Sequence, residues 1–97
     1  MARRRYLLLY DVRDELRLRR VHDVALAFGE ALQYSVYVCD LTPSELIKLK
    51  WSLSLVIHSR LDSIALVDLG GSDSSFADRF TFLGPHRPLP LGGSTIV

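Results

Sequence analysis

Along the chain the spacing of apolar positions switches between a period of two and a period near 3.6, and the switches mark out the elements. Tyr6 to Val12 is a short apolar run with Tyr6, Leu8 and Tyr10 on one side and Leu7 and Leu9 on the other. Both sides are apolar, which predicts a strand covered on both faces. From Asp14 to about Phe28 the apolar positions Val21, Val24, Ala25 and Phe28 follow helical spacing, while Arg13, Arg17 and Arg20 line up on another face. Gly29 is the expected stop. Leu32 to Leu41 is rich in Val and Tyr and predicts a second extended region, bulged or split around Ser35.

Thr42-Pro43-Ser44-Glu45 carries three start signals for a second helix: a capping threonine, a proline at the first helical position and a glutamate that reaches back to the cap. Its stripe is Leu46, Leu49, Leu53, Val56 and Ile57, with His58 and Arg60 expected in the last turn. Asp62 to Leu69 predicts a further strand, stopped by Gly70-Gly71, followed by a polar loop from Ser72 to Asp78. Arg79 to Leu83 alternates Phe80 and Phe82 with Thr81 and predicts a last strand. The order is that of a ferredoxin-like βαββαβ domain with an additional C-terminal strand, an α+β fold with both helices on one sheet face. Residues 1–83 form this domain, and 84–97 form an extended tail rich in proline and glycine. The other sheet face then needs a cover, and a second copy of the chain supplies one, with the last strand added to the partner's sheet edge.

Length bounds this picture to one domain, since the chain has 97 residues. No apolar run nears the roughly 20 residues of a membrane-spanning helix, and the single cysteine, Cys39, allows neither an intrachain disulfide nor a zinc cluster. A cytoplasmic protein without a membrane partner is the expectation. The formal net charge of +1 hides an asymmetry. Residues 1–20 carry seven arginines against Asp11, Asp14 and Glu15, whereas the remainder carries five basic against eight acidic residues. Arginine binds phosphate bidentately, so the N-terminal region reads as facing a polyanion.

Catalytic constellations are sparse. His22, His58 and His86 lack metal-ligand spacing and read as surface or helix-end residues, and Cys39 reads as a buried small hydrophobe. Trp51 reads as a packing residue of the second helix. Asp11, directly after the first strand, is the remaining candidate: a carboxylate there near arginines suits a magnesium ion on a phosphodiester. An aspartate between strand and helix equally suits an Asx turn or a helix cap, although Asp14 is the better-placed cap.

Tyr10-Asp11-Val12, the arginines Arg17, Arg19 and Arg20 leading into Val21, Gly29 before Gln33-Tyr34-Ser35-Val36-Tyr37, then Thr42-Pro43-Ser44-Glu45-Leu46 and Asp62-Ser63-Ile64 together resemble the CRISPR-associated protein 2 family. The match covers about residues 4 to 69 in order and spacing. The resemblance implies a homodimer in which Asp11 of each copy faces its mate, serves as catalytic residue and metal ligand, and shares a Mg²⁺ ion, with Mn²⁺ as the alternative. It further implies that Arg13, Arg17, Arg19 and Arg20 track duplex DNA (or RNA), with Tyr10 and Tyr37 in support, and that the C-terminal segment contacts an integrase subunit of the spacer-acquisition complex. The family carries a metal-dependent endonuclease assignment, for RNA in some members and DNA in others. This chain has Ala31 where members often have arginine, and Tyr37 where phenylalanine is common. A single-stranded RNA-binding module of the same element order is the alternative, but its stacking motif is absent.

Overall fold

The computed structural model describes residues 2–71 and 76–86. Its elements run β1 (Arg4–Asp11), α1 (Glu15–Phe28), β2 (Gly29–Gln33), β3 (Val36–Leu41), α2 (Pro43–Ser54) and β4 (Ser63–Gly71), followed by a short 3₁₀ helix, Phe76–Arg79. The strands form one sheet in the order β2-β3-β1-β4, with every neighbouring pair antiparallel. This is the expected ferredoxin-like arrangement. The central strand β1 is paired along both edges, and each of its faces packs into a separate apolar cluster.

Alternation along β1 sends Leu8 and Tyr10 toward the helices, where they join Val12, Val21, Ala25, Tyr37, Cys39, Leu41, Leu49 and Leu53 in the main core. The opposite face carries a smaller cluster of Leu32, Val38 and Leu69, with Leu7, Val36, Phe80 and Phe82 packed against it. Helix α1 starts where the sequence places its cap, Asp14 accepting from the backbone N–H of Arg17 at 3.0 Å. The capping box of α2 forms as well: Glu45 N–H donates to Thr42 Oγ1 at 3.2 Å, and Thr42 N–H donates to Glu45 Oε1 at 2.9 Å.

Three boundaries differ from the sequence reading. The extended region begins at Gly29, which ends α1 and opens β2 without a loop, and Tyr34-Ser35 turns β2 into β3. Gly29 sits in extended backbone, so its need for glycine is one of space: a Cβ there would lie 2.6 Å from both Cys39 Sγ and the Val38 carbonyl oxygen. Helix α2 stops at Ser54 rather than carrying His58 and Arg60 in its last turn. Asp62 closes the following loop, accepting from the backbone N–H of His58 at 2.7 Å while its own N–H donates to the His58 carbonyl at 3.0 Å.

The third difference concerns Arg79 to Leu83, which forms no strand within the chain. Arg79 ends the 3₁₀ helix and residues 80–83 have no regular structure. A strand needs a free edge to bond, and here the segment lies instead against the outer sheet face through Phe80 and Phe82, stacked with ring centroids 5.9 Å apart. Of the proposed tail, residues 87–97 lie outside the described residues. Among the described residues no helix is long and apolar enough to cross a membrane.

Candidate functional site

The far end of β1 positions the candidate residues. Strand alternation directs Tyr10 into the helix layer and Asp11 to the outer face, opposite Ser63 of β4. A backbone hydrogen bond from Tyr10 N–H to the Ser35 carbonyl, at 3.3 Å, ties the β2–β3 turn to the same place. Asp11 is exposed, and among the described residues no hydrogen bond or ion pair engages its carboxylate. With Asp14 serving as the helix cap, Asp11 is left available.

Asp11 stands on the rim of two shallow hollows. One, of about 210 Å³, is lined by Leu9, Tyr10, Ser35, Val36, Ser63 and Ala65 as well as Asp11, an apolar floor on the uncovered end of the outer face. The other, of about 390 Å³, adds Arg13, Arg17, Leu61 and Asp62. Asp62 is not a second open carboxylate. Its side chain is only 1% exposed and takes a bidentate pair from Arg17, Nε to Oδ2 at 2.7 Å and Nη2 to Oδ1 at 3.2 Å. The guanidinium and the His58 N–H hold its pKa below the usual carboxylate range.

The arginines therefore divide. Arg17 is committed to Asp62, Arg3 to Glu45 at 3.0 Å, and Arg4 to Asp68 at 3.0 Å, so three cations of the basic N-terminal region are matched within the chain by carboxylates from its acidic remainder. Arg13, Arg19 and Arg20 are exposed, and no ion pair engages them among the described residues. Spacing alone grouped Arg17 with Arg13 and Arg20; the partner that removes it lies 45 residues away.

Tyr10 and Tyr37 lie on the helix side of the sheet, both buried. Their rings stack with centroids 6.1 Å apart, and both hydroxyls face His22 Nδ1, Tyr37 at 2.7 Å and Tyr10 at 3.4 Å. Burial, with Tyr37 beside it, pushes the Tyr10 phenol well above its ordinary value, so it remains a donor. His22, which the sequence predicts to be a surface or helix-end residue, is half-buried instead. The signal that would have placed it inward is its position four residues after Leu18, on the stripe that carries Val21 and Ala25. Burial also pushes the Cys39 thiol up to about 11, which keeps it protonated and excludes a thiolate nucleophile there.

For a metal, one chain offers a short donor set: among the described residues no three His, Cys, Asp or Glu side chains come together. Mg²⁺ commonly keeps several waters and binds through one or two carboxylates, and Asp11 is the open carboxylate on this face that would hold one.

Comparison with known proteins follows the same line. The family model for CRISPR associated protein Cas2 matches residues 4–75. The chain is 31% identical over 96 residues to the CRISPR-associated endoribonuclease Cas2 of Chlorobaculum tepidum, covering 94% of this chain and 97% of that one. It is 42% identical over 64 residues to the CRISPR-associated endoribonuclease Cas2 2 of Thermodesulfovibrio yellowstonii, covering 66% of this chain and 70% of that one. Among solved structures, Streptococcus pyogenes Cas2 superposes with a TM-score of 0.73 at 33% identity, over 82% of this chain and 99% of that one. With its fold, its strand-end aspartate and the match over most of its length in agreement, the chain belongs to the Cas2 family of CRISPR-associated proteins.

Proposed function

We propose that the protein works as a homodimeric subunit of CRISPR spacer acquisition that binds duplex DNA together with an integrase subunit, and that Asp11 from the two copies forms a Mg²⁺-dependent phosphodiesterase centre. The observation that carries this reading is the placement of Asp11: an exposed, unengaged carboxylate at the edge of an apolar hollow formed by Leu9, Val36 and Ala65. Covering that hollow with a second copy removes apolar surface from water and brings a second Asp11 to the same interface. The two carboxylates would hold the ion, and Mg²⁺ bound there would supply charge stabilisation to a phosphodiester. Arg13, Arg19 and Arg20 supply phosphate contacts that are indifferent to sequence. The names of the relatives point to RNA as a cleavage substrate, so RNA is kept beside duplex DNA.

The test is cleavage of single-stranded RNA and of duplex DNA by purified wild-type protein and by Asp11→Asn, each with Mg²⁺ and with a chelator. Cleavage that requires both Asp11 and the metal, with nucleic-acid affinity and dimer intact in the variant, is the expected result. Equal cleavage by wild type and variant removes Asp11 from the chemistry.

A further inference from the structure

On the helix side of β1, one residue from Asp11, lies an open cavity of about 390 Å³ lined by Tyr10, Glu15, Leu18, Arg19, His22 and Tyr34. Nothing in the proposed Asp11 centre uses it. Its volume lies at the lower end of the range that small-ligand sites occupy. Tyr34 is 75% exposed although it is a large ring, and the turn that carries it is fixed: the Tyr10 hydroxyl bonds its carbonyl at 3.5 Å, and Tyr10 N–H bonds that of Ser35. An exposed ring on an anchored backbone offers a face on which a base can stack.

The polar groups have assignable roles. Tyr37 is fully buried and its hydroxyl lies 2.7 Å from His22 Nδ1. With Nδ1 accepting from Tyr37, the ring proton lies on Nε2, which no hydrogen bond engages among the described residues. Glu15 and Arg19, one turn apart on α1, likewise have no ion pair there. The cavity thus offers a carboxylate acceptor, an N–H donor, a guanidinium and an aromatic face. A carboxylate accepts two parallel N–H bonds, and among the common bases guanine presents such a pair at N1 and N2, with O6 beside them to accept from a donor.

The geometry points to a guanine-nucleotide pocket: the base stacks on Tyr34, its N1–H and N2–H donate to Glu15, His22 Nε2–H donates to the base, and Arg19 takes the phosphate. This inference rests on the nucleic-acid reading above, where it would hold an unpaired guanine nucleotide of a bound strand. Free GMP and dGMP test the cavity by itself, and a blunt DNA duplex tests the wider reading. Titrations of GMP, dGMP, AMP, CMP and UMP, followed by the His22 and Tyr34 NMR signals, should show guanine nucleotides binding about tenfold or more tightly than the others. Tyr34→Ala should weaken both guanine nucleotides, and Glu15→Gln should abolish their advantage over AMP. The tighter of GMP and dGMP assigns the strand as RNA or DNA. Four bases bound alike by wild type, or a guanine preference that survives Glu15→Gln, overturns the pocket whatever the duplex does. A blunt duplex that fails to bind while GMP binds overturns the wider reading and leaves the pocket standing.

Discussion

At the scale of single residues, Arg17 and Asp62 show how a side chain that looks functional can be structural. Arg17 lies among exposed arginines on α1, yet its fork is occupied by a carboxylate that is almost fully buried. Alanine at Arg19 or Arg20 should each lower the slope of log affinity against log salt by about one, as expected for a lost phosphate contact. Arg17→Ala should leave that slope nearly unchanged and lower the urea midpoint instead, and a titration across salt beside a urea melt distinguishes the two roles. Asp62, Asp68 and Glu45 all have acidity strengthened by arginine partners or backbone N–H groups, so their pKa values are lower folded than unfolded. The unfolded chain binds more protons in the acid range, and stability is full above the unfolded values and falls as pH drops through the folded ones. Urea melts should therefore weaken below about pH 4, the ordinary carboxylate range, and Asp62→Asn should flatten that acid limb while lowering stability at neutral pH.

At the scale of elements, the junction of α1 with β2 is the tightest place in the fold. Gly29 lets the chain pass from helix to strand beside β3 with no loop, against Cys39 Sγ and the Val38 carbonyl. Gly29→Ala should cost about 1–3 kcal/mol through overpacking. Adding Cys39→Ala removes the sulfur but not the backbone oxygen, so the double variant should recover only part of the loss in a denaturant melt. This junction also marks what could be read in advance. The strand and helix order was legible because local signals agreed: alternation in β1, the Asp14 cap, and the capping box at Thr42. The end of α2 was not, because the apolar stripe runs on through Val56 and Ile57 while Asp62 captures the His58 N–H. Of the candidate site, Asp11 was legible as a strand-end acid. The inward turn of His22 was written in its place beside Val21 and Ala25 on the α1 stripe, whereas the loss of Arg17 to Asp62 depends on a contact 45 residues away, which no local pattern encodes.

At the scale of the whole molecule, the two faces of the sheet are treated differently. Both helices and the larger core cover one, while among the described residues the other carries the smaller cluster of Leu32, Val38 and Leu69 with Leu7, Val36, Phe80 and Phe82 packed against it, leaving the hollow at Leu9, Val36 and Ala65 beside Asp11. The protein should sediment as a dimer at micromolar concentration, and Leu9→Lys should give a folded monomer, since it places a charge in that hollow without touching the helix side. A wild-type monomer under the same conditions would remove the interface. The segment carrying Phe80 and Phe82 then acquires a second meaning. Its rings rest on its own sheet, so a neighbour's identical sheet would receive the same rings with almost no change in their contact energy. Such an exchange is decided by tether length and copy number rather than by bond strength. Two protomers that had traded these arms would part slowly, because each arm must first peel away, and the age of a complex would become part of its behaviour.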